Sequence, residues 1–295
     1  MNSTPIRQNA QNSGQNQWPM AILTVVVVAA AIVMAFIGSG ALGGTSVNEA
    51  AGGALSADAT PVAPAGTAFR IWSVIYIGLV AYAIWQLTPG ARASERQRAL
   101  RPWAMLSALL NALWLGMVQW EMILGSVLVI VVLLAVLIRI MFVLGFARPR
   151  NWVDLVVTDG TFGLYFGWVL LATVANTYAW LAAAGVEAFE DEVTGIMGIV
   201  VAAAIAVLSA VFSRGRIAPA LATAWGLSWV AVARTEGNFE DEALVWTAGI
   251  AAAVVLVVAI VVRIIEERRN GSRPGPDGEP EPEEHTAITD DAPVR

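Results

Sequence analysis

The sequence has no cysteine, no lysine and a single histidine in 295 residues, and only 14% of its side chains are charged. Each shortage excludes something. Without cysteine there are no disulfides, no thiolate nucleophile and no thiolate metal ligand. The histidine, His285, lies in a polar tail, so the apolar part of the chain has no imidazole for acid–base work or metal ligation. All 17 basic residues are arginine. Soluble domains carry about 25% charged residues, so this chain is short of the charge a water-facing surface needs. The composition agrees, with 57% hydrophobic residues and a mean hydropathy of +0.67.

Long apolar runs take the place of charge. A membrane-crossing helix needs about 18 or more apolar residues in a row. Eight such segments are expected, at 18–38, 68–88, 102–120, 122–146, 152–181, 193–213, 217–235 and 243–265. The fold class is therefore an all-α polytopic membrane helix bundle. The first segment is long for a signal peptide and lacks a cleavage site, so it is read as retained. Residues 1–17, rich in Gln and Asn, and residues 266–295, rich in Pro and acids, are expected to be disordered cytoplasmic ends.

The loops alternate in charge. Arg92, Arg96, Arg98 and Arg101 precede the third segment; Arg148 and Arg150 precede the fifth; Arg214 and Arg216 precede the seventh; Arg268, Arg269 and Arg273 follow the eighth. The intervening connections are acidic or uncharged by comparison. The positive-inside rule then puts both termini in the cytoplasm, in a plasma-membrane protein. Arg70 and Arg234 are exceptions near the outer face. Loop 39–66 is unusually long and is either a lid over an outer pocket or a tether.

Residues 161–181 are apolar enough to span, yet Thr161, Tyr165, Trp168, Ala172 and Asn176 recur at helical spacing, continued backwards by Thr158 and Asp154. A lipid-facing helix has no use for such a stripe, which must look at other helices or a cavity. Trp72 and Tyr76 in the second segment, and Asn111 and Trp114 in the third, make similar faces. Two roles are open for these residues: lining a ligand pocket, or joining helices and anchoring the interface. Trp18, Trp103, Trp120, Trp152, Trp180 and Trp246 sit near segment ends and suit interface anchors.

Taken in order, W-x-x-x-Y, L-N-x-L-W and Y-x-x-W-x-x-x-A-x-x-x-N resemble the TspO/MBR family of translocator or tryptophan-rich sensory proteins. The resemblance covers residues 18–181, a five-helix membrane domain. It implies a pocket capped by the long loop, which binds tetrapyrroles such as protoporphyrin IX or other hydrophobic ligands. The implied ligand-binding residues are Trp72, Tyr76, Asn111, Trp114, Tyr165, Trp168 and Asn176. Leu164 stands where the family has Pro, so no kink is implied there. Residues 182–265 add three segments that the family is expected to lack, and these either hide a surface used for a homodimer or add a function. Haem iron takes His, Cys, Met or Tyr, and the spans offer only Met and Tyr. Metal-free porphyrin is therefore favoured, and no cofactor is required.

Arg139, in the fourth segment, and Asp159, in the fifth, are expected at similar depth from the same face. An intramembrane pair of Arg139 with Asp159, or with Asp154, follows, either structural or part of an ion path. Phe-Glu-Asp-Glu occurs at 189–192 and 239–242, before inward-running helices, where acids suit N-terminal caps. Three functions remain: a porphyrin-binding sensor, receptor or carrier; an ion-coupled transporter of another solute; or a light-dependent porphyrin-modifying enzyme. No nucleophile–base pair supports other catalysis, and the arginine clusters serve topology, not nucleic acid.

Overall fold

A computed structural model describes residues 17–38, 47 and 49–271. The expected disordered ends, apart from residues 17 and 266–271, lie outside the described residues, as do His285, the beginning of loop 39–66 and residue 48. Eight long helices account for the eight expected segments: α1 (Trp18–Gly38), α2 (Ile71–Trp85, entered through a 3-10 turn Gly66–Arg70), α3 (Glu95–Gln119), α4 (Ile123–Phe146), α5 (Trp152–Ala183), α6 (Glu192–Phe212), α7 (Ile217–Ala233) and α8 (Glu242–Gly271). No strand occurs among the described residues.

Six of the helices are long and apolar enough to cross a membrane: α1, α2 with its 3-10 turn, α4, α5, α6 and α8. Helix α7 is apolar but has 17 residues. Helix α3 has 25 residues, and its first two turns carry Glu95, Arg96, Arg98 and Arg101. These polar turns explain the difference from the expected start at residue 102. Hydropathy marks where the slab begins, whereas the helix starts earlier, where Ser94 caps it by accepting from the Gln97 N–H. Asp241 caps α8 in the same way, accepting from the Leu244 N–H at 2.7 Å, while Asp191, at the start of α6, accepts from the N–H of the next residue, Glu192, at 3.0 Å. This is the capping expected of the two acidic repeats. The outward surface is apolar, with Ile77, Phe212 and Phe146 exposed at 70%, 82% and 84%, the reverse of a water-facing surface.

Helices α1 to α5 close into a ring. Helix α1 packs on α2 and α3, α3 on α4, α4 on α5, and α5 on α2. Beyond α5, α7 packs on its far side, α8 on α7, and α6 on α8. Two apolar cores result, one inside the ring and one among α5 to α8. Helix α5 belongs to both. Its far face is built from Gly163 and Gly167, which bring Pro219 and Ala222 of α7 against bare backbone; the Thr223 hydroxyl donates to the Gly167 carbonyl at 3.0 Å. Small residues four apart let membrane helices approach this closely.

The bundle's two ends are chemically sorted. The Arg150 guanidinium donates to the Gly90 carbonyl at 3.0 Å and Arg216 reaches Asp159 and the Leu144 carbonyl, so the arginine-bearing loops share one end. At the other end the Asn238 N–H donates to Asp58 at 3.1 Å, and Pro61 lies against Gly195.

Candidate ligand pocket and ionic network

The seven aromatic and amide side chains singled out in the sequence lie on α2, α3 and α5, and all face the inside of the ring. Their exposures run from 0% at Tyr165 to 9% at Trp72. Trp72 is the hub. It stacks on Tyr76 with centroids 5.3 Å apart and on Trp114 at 6.2 Å, and meets Tyr165 and Trp168 edge-on at 5.8 and 6.4 Å. Offset and edge-to-face contacts of this kind suit the ring quadrupoles. Phe69, from the 3-10 turn before α2, meets Trp168 edge-on at 5.6 Å.

Polar atoms fix the cluster. The Asn111 amide donates to the Tyr76 hydroxyl at 3.0 Å, and the Tyr165 hydroxyl donates to the Ser107 carbonyl at 3.0 Å. The Asn176 carbonyl oxygen accepts from the Trp114 indole N–H and the Ser126 hydroxyl, both at 3.2 Å. Two buried atoms of this cluster have no hydrogen-bond partner among the described residues: the Trp168 indole nitrogen and the Asn111 side-chain oxygen. An unmade hydrogen bond in such a place costs about 1–3 kcal/mol, so the cluster keeps one donor and one acceptor unsatisfied.

A cavity of about 20 Å³ adjoins the cluster. Trp114, Trp168, Ala172 and Asn176 form its inner wall, and Leu55, Thr60 and Pro64 its outer one. That is room for about one water molecule. The described part of loop 39–66 therefore lies over the aromatic cluster and packs against it, with Leu55, Thr60 and Ala63 buried. Of the two roles open to the loop, this placement is that of a cover. Helix Thr161–Ala183 runs unbroken past Leu164; the irregularity of α5 comes earlier, as a π-helical segment, Leu155–Gly160.

That segment explains the charges. In an α-helix, residues five apart point about 140° away from each other, but a π turn closes on the fifth residue and brings them towards one face. Asp154 and Asp159 consequently converge. The Arg96 guanidinium bridges them, donating to Asp154 at 3.0 Å and to Asp159 at 2.6 Å. Arg216, preceding α7, donates to the other Asp159 oxygen at 2.6 Å. The Gln97 amide adds donations to Asp154 at 3.0 Å and to Thr158 at 3.2 Å. Burial pulls the Arg216 guanidinium below its usual range, and Asp159 opposes that shift.

The pairing expected for Arg139 is thus corrected. Arg139 is exposed on α4, and its guanidinium lies 5.6 Å from the Trp103 ring centre. The ion pairs of the two carboxylates among the described residues are with Arg96 and Arg216 instead. The buried stripe of α4 runs through Leu133, Leu137, Ile140 and Leu144, and Arg139 falls off it. An almost uniformly apolar helix gives no sequence cue to which side faces protein. Arg96 precedes the apolar run and reads in the sequence as a topology signal; its place on the opening turns of α3 makes it the partner.

Further residues have no role in the sequence reading. Ser107 and Ser126 are too common in helices to stand out. The signal for the α5–α7 contact is Gly163-x-x-x-Gly167. The signal for Arg234, which is fully buried at the end of α7 away from the arginine-bearing loops, is its exception to the expected charge rule. Among the described residues no group of His, Asp or Glu could hold a metal ion.

A family model described as TSPO-like protein matches residues 20–262. The match runs through the last three helices as well as the ring. No curated protein and no solved structure matches the chain.

Proposed function

This chain belongs to the TSPO-like protein family, and from that premise we propose that it binds a tetrapyrrole such as protoporphyrin IX, or a similar flat hydrophobic molecule, in the aromatic cluster between α2, α3 and α5. It is a multi-pass membrane protein. The proposed role is that of a sensor, receptor or carrier in the plasma membrane, with the arginine-bearing end and both termini in the cytoplasm.

The observation that carries this reading is Trp168. Its ring lines the cavity, yet its indole N–H is buried without an acceptor among the described residues. A conjugated ligand with peripheral carboxylates would stack on the aromatic faces and supply that acceptor. The Asn111 side-chain oxygen, without a donor among the described residues, is open to one from a ligand. A cavity of about 20 Å³ is too small for such a ligand, since drug-sized ligands occupy about 300 Å³ or more. Binding therefore requires the covering loop to move outward, and the protein has an open and a closed form whose balance the ligand shifts.

Ion-coupled transport of another solute has one feature in its favour, the two carboxylates on the π segment. Here Arg96 and Arg216 match Asp154 and Asp159 charge for charge, and each carboxylate is bonded. Fully paired buried charges suit a structural lock between α3, α5 and α7 better than a titrating site.

The test is titration of detergent-solubilised protein with protoporphyrin IX, following tryptophan fluorescence. Saturable quenching, weakened about tenfold in Trp168→Phe and in Asn111→Ala, is expected, from a lost stacking or hydrogen-bond contribution of about 1.4 kcal/mol. Quenching that does not saturate, or is indifferent to both substitutions, refutes the pocket. Product formed only in light would move the protein to an enzymatic role. Uptake that depends on an ion gradient and is lost in Asp159→Asn would favour transport.

A further inference from the structure

The last three helices supply none of the seven cluster side chains, although Gly226 of α7 lies against the Trp168 ring; they also hold the loop that covers the cluster. Arg234 caps the outer end of α7 and is fully buried. Its guanidinium donates to the Thr60 carbonyl at 3.0 Å and to the Ala57 carbonyl. The turn after it completes the grip. The Asn238 N–H donates to Asp58 at 3.1 Å, and Gly237, at φ +90°, leaves room for that carboxylate where a Cβ would stand 2.2 Å from it. One turn down α7, the Trp229 carbonyl accepts from the Ala65 N–H at 3.1 Å, and the Trp225 indole donates to the Ala68 carbonyl at 3.0 Å. Helix α6 closes the other side, with Gly195 against Pro61 and Gly198 against Val62.

The loop is thus held from behind by α6, α7 and the turn before α8, while its front, Leu55, Thr60 and Pro64, walls the cavity beside Trp114 and Trp168. Thr60 belongs to both surfaces: its carbonyl is taken by Arg234 and its residue lines the cavity. An arginine suits this position, because its planar fork reaches two backbone carbonyls three residues apart without needing a carboxylate. A cation on the outer side runs against the charge rule, and this contact accounts for its presence.

We infer that Arg234 is a positioning residue: it clamps residues 54–65 over the aromatic pocket, so that helices α6 to α8 govern how fast a ligand enters and leaves. The inference about rates rests on the proposed ligand-binding reading; the clamp itself does not. Releasing the clamp frees the cover without touching the inner wall formed by Trp114, Trp168, Ala172 and Asn176. Entry and exit then both accelerate, and affinity changes less than either rate.

The test compares the full chain in detergent with Arg234→Ala, Arg234→Lys and Asp58→Ala, the last an exposed residue on the loop itself. Amide hydrogen exchange is read in peptides covering 54–65, and stopped-flow quenching gives the association and dissociation rates of protoporphyrin IX. Exchange about tenfold faster at 54–65, with α3 and α5 unchanged, is expected in Arg234→Ala and in Asp58→Ala, with partial recovery in Arg234→Lys. Both porphyrin rates should rise about tenfold while their ratio stays within about threefold. Unchanged exchange at 54–65 overturns the clamp. Faster exchange with unchanged porphyrin rates overturns the gating role. If Arg234→Ala loosens the whole molecule, Asp58→Ala and Arg234→Lys decide. If the parent shows no saturable porphyrin binding, the ligand-binding reading fails and the exchange result alone decides the clamp.

Discussion

Replacing Gly167 by alanine should weaken the protein, although alanine is the better helix former. A Cβ at this position would lie 2.1 Å from the Pro219 carbonyl oxygen, 2.9 Å from its carbon and 3.0 Å from the Ala222 Cβ. The first two are backbone atoms, so no side-chain rotation relieves the clash, and α7 must retreat by about 1 Å, an overpacking that costs about 1–3 kcal/mol. The retreat also stretches the hydrogen bond from Thr223 to the Gly167 carbonyl, worth about 0.6 kcal/mol between membrane helices. Against this stands a helix-propensity gain of up to about 1 kcal/mol. The expected net loss is about 1–3 kcal/mol. Gly249, inside α8, supplies the control: a Cβ there meets nothing within 4 Å, so Gly249→Ala should gain up to about 1 kcal/mol. Thermal or denaturant unfolding in detergent, followed by tryptophan fluorescence, gives both signs. The reasoning is refuted if Gly167→Ala is as stable as Gly249→Ala, because α7 would then not rest on bare α5 backbone.

Other expectations follow from the same geometry. Arg96→Ala leaves Asp154 and Asp159 without their shared partner and should cost about 3–5 kcal/mol in unfolding experiments. Arg139→Ala removes one exposed contact with Trp103 and should cost about 1 kcal/mol or less; equal losses for the two arginines would contradict the assignment. Asn176→Leu strands the buried Trp114 indole N–H, while the Ser126 hydroxyl keeps the Ile123 carbonyl at 2.7 Å, and should lower both stability, by about 1–3 kcal/mol, and protoporphyrin affinity in the fluorescence titration.

What can be read from the sequence, and what cannot, divides along physical lines. Eight apolar runs become eight helices because hydrocarbon thickness sets a length that composition can meet or miss. Tyr165, Trp168 and Asn176 are recognisable on one face because polar and aromatic residues stand out in an apolar helix. Where every residue is apolar, as on α4, periodicity is silent, and nothing in the sequence of that helix turns Arg139 outward. Asp159 illustrates the opposite problem. It lies off the α-helical stripe of Thr158 and Thr161, and only the π segment turns it towards Arg96. An inserted turn of this kind leaves no mark in hydropathy. The cover is visible as a long loop, but its attachment is not, since backbone carbonyls at 57 and 60 receive Arg234 from 174 or more residues away.

The domain reading has a similar division. The ring and the α5–α8 layer have separate apolar cores, yet α5 serves both. The family match extends to residue 262, so the last three helices are part of the matched pattern. These helices brace α5 through Gly163 and Gly167, and they hold the cover through Arg234.

The most direct measurement of the central claim is an experimental structure of the protein with protoporphyrin IX bound. The macrocycle is expected among Trp72, Trp114 and Trp168, with one polar group within hydrogen-bonding distance of the Trp168 indole nitrogen and residues 54–65 displaced outward. A macrocycle seated on α6 to α8 or on the lipid-facing surface, with Trp168 still packed as it is here, would contradict the claim.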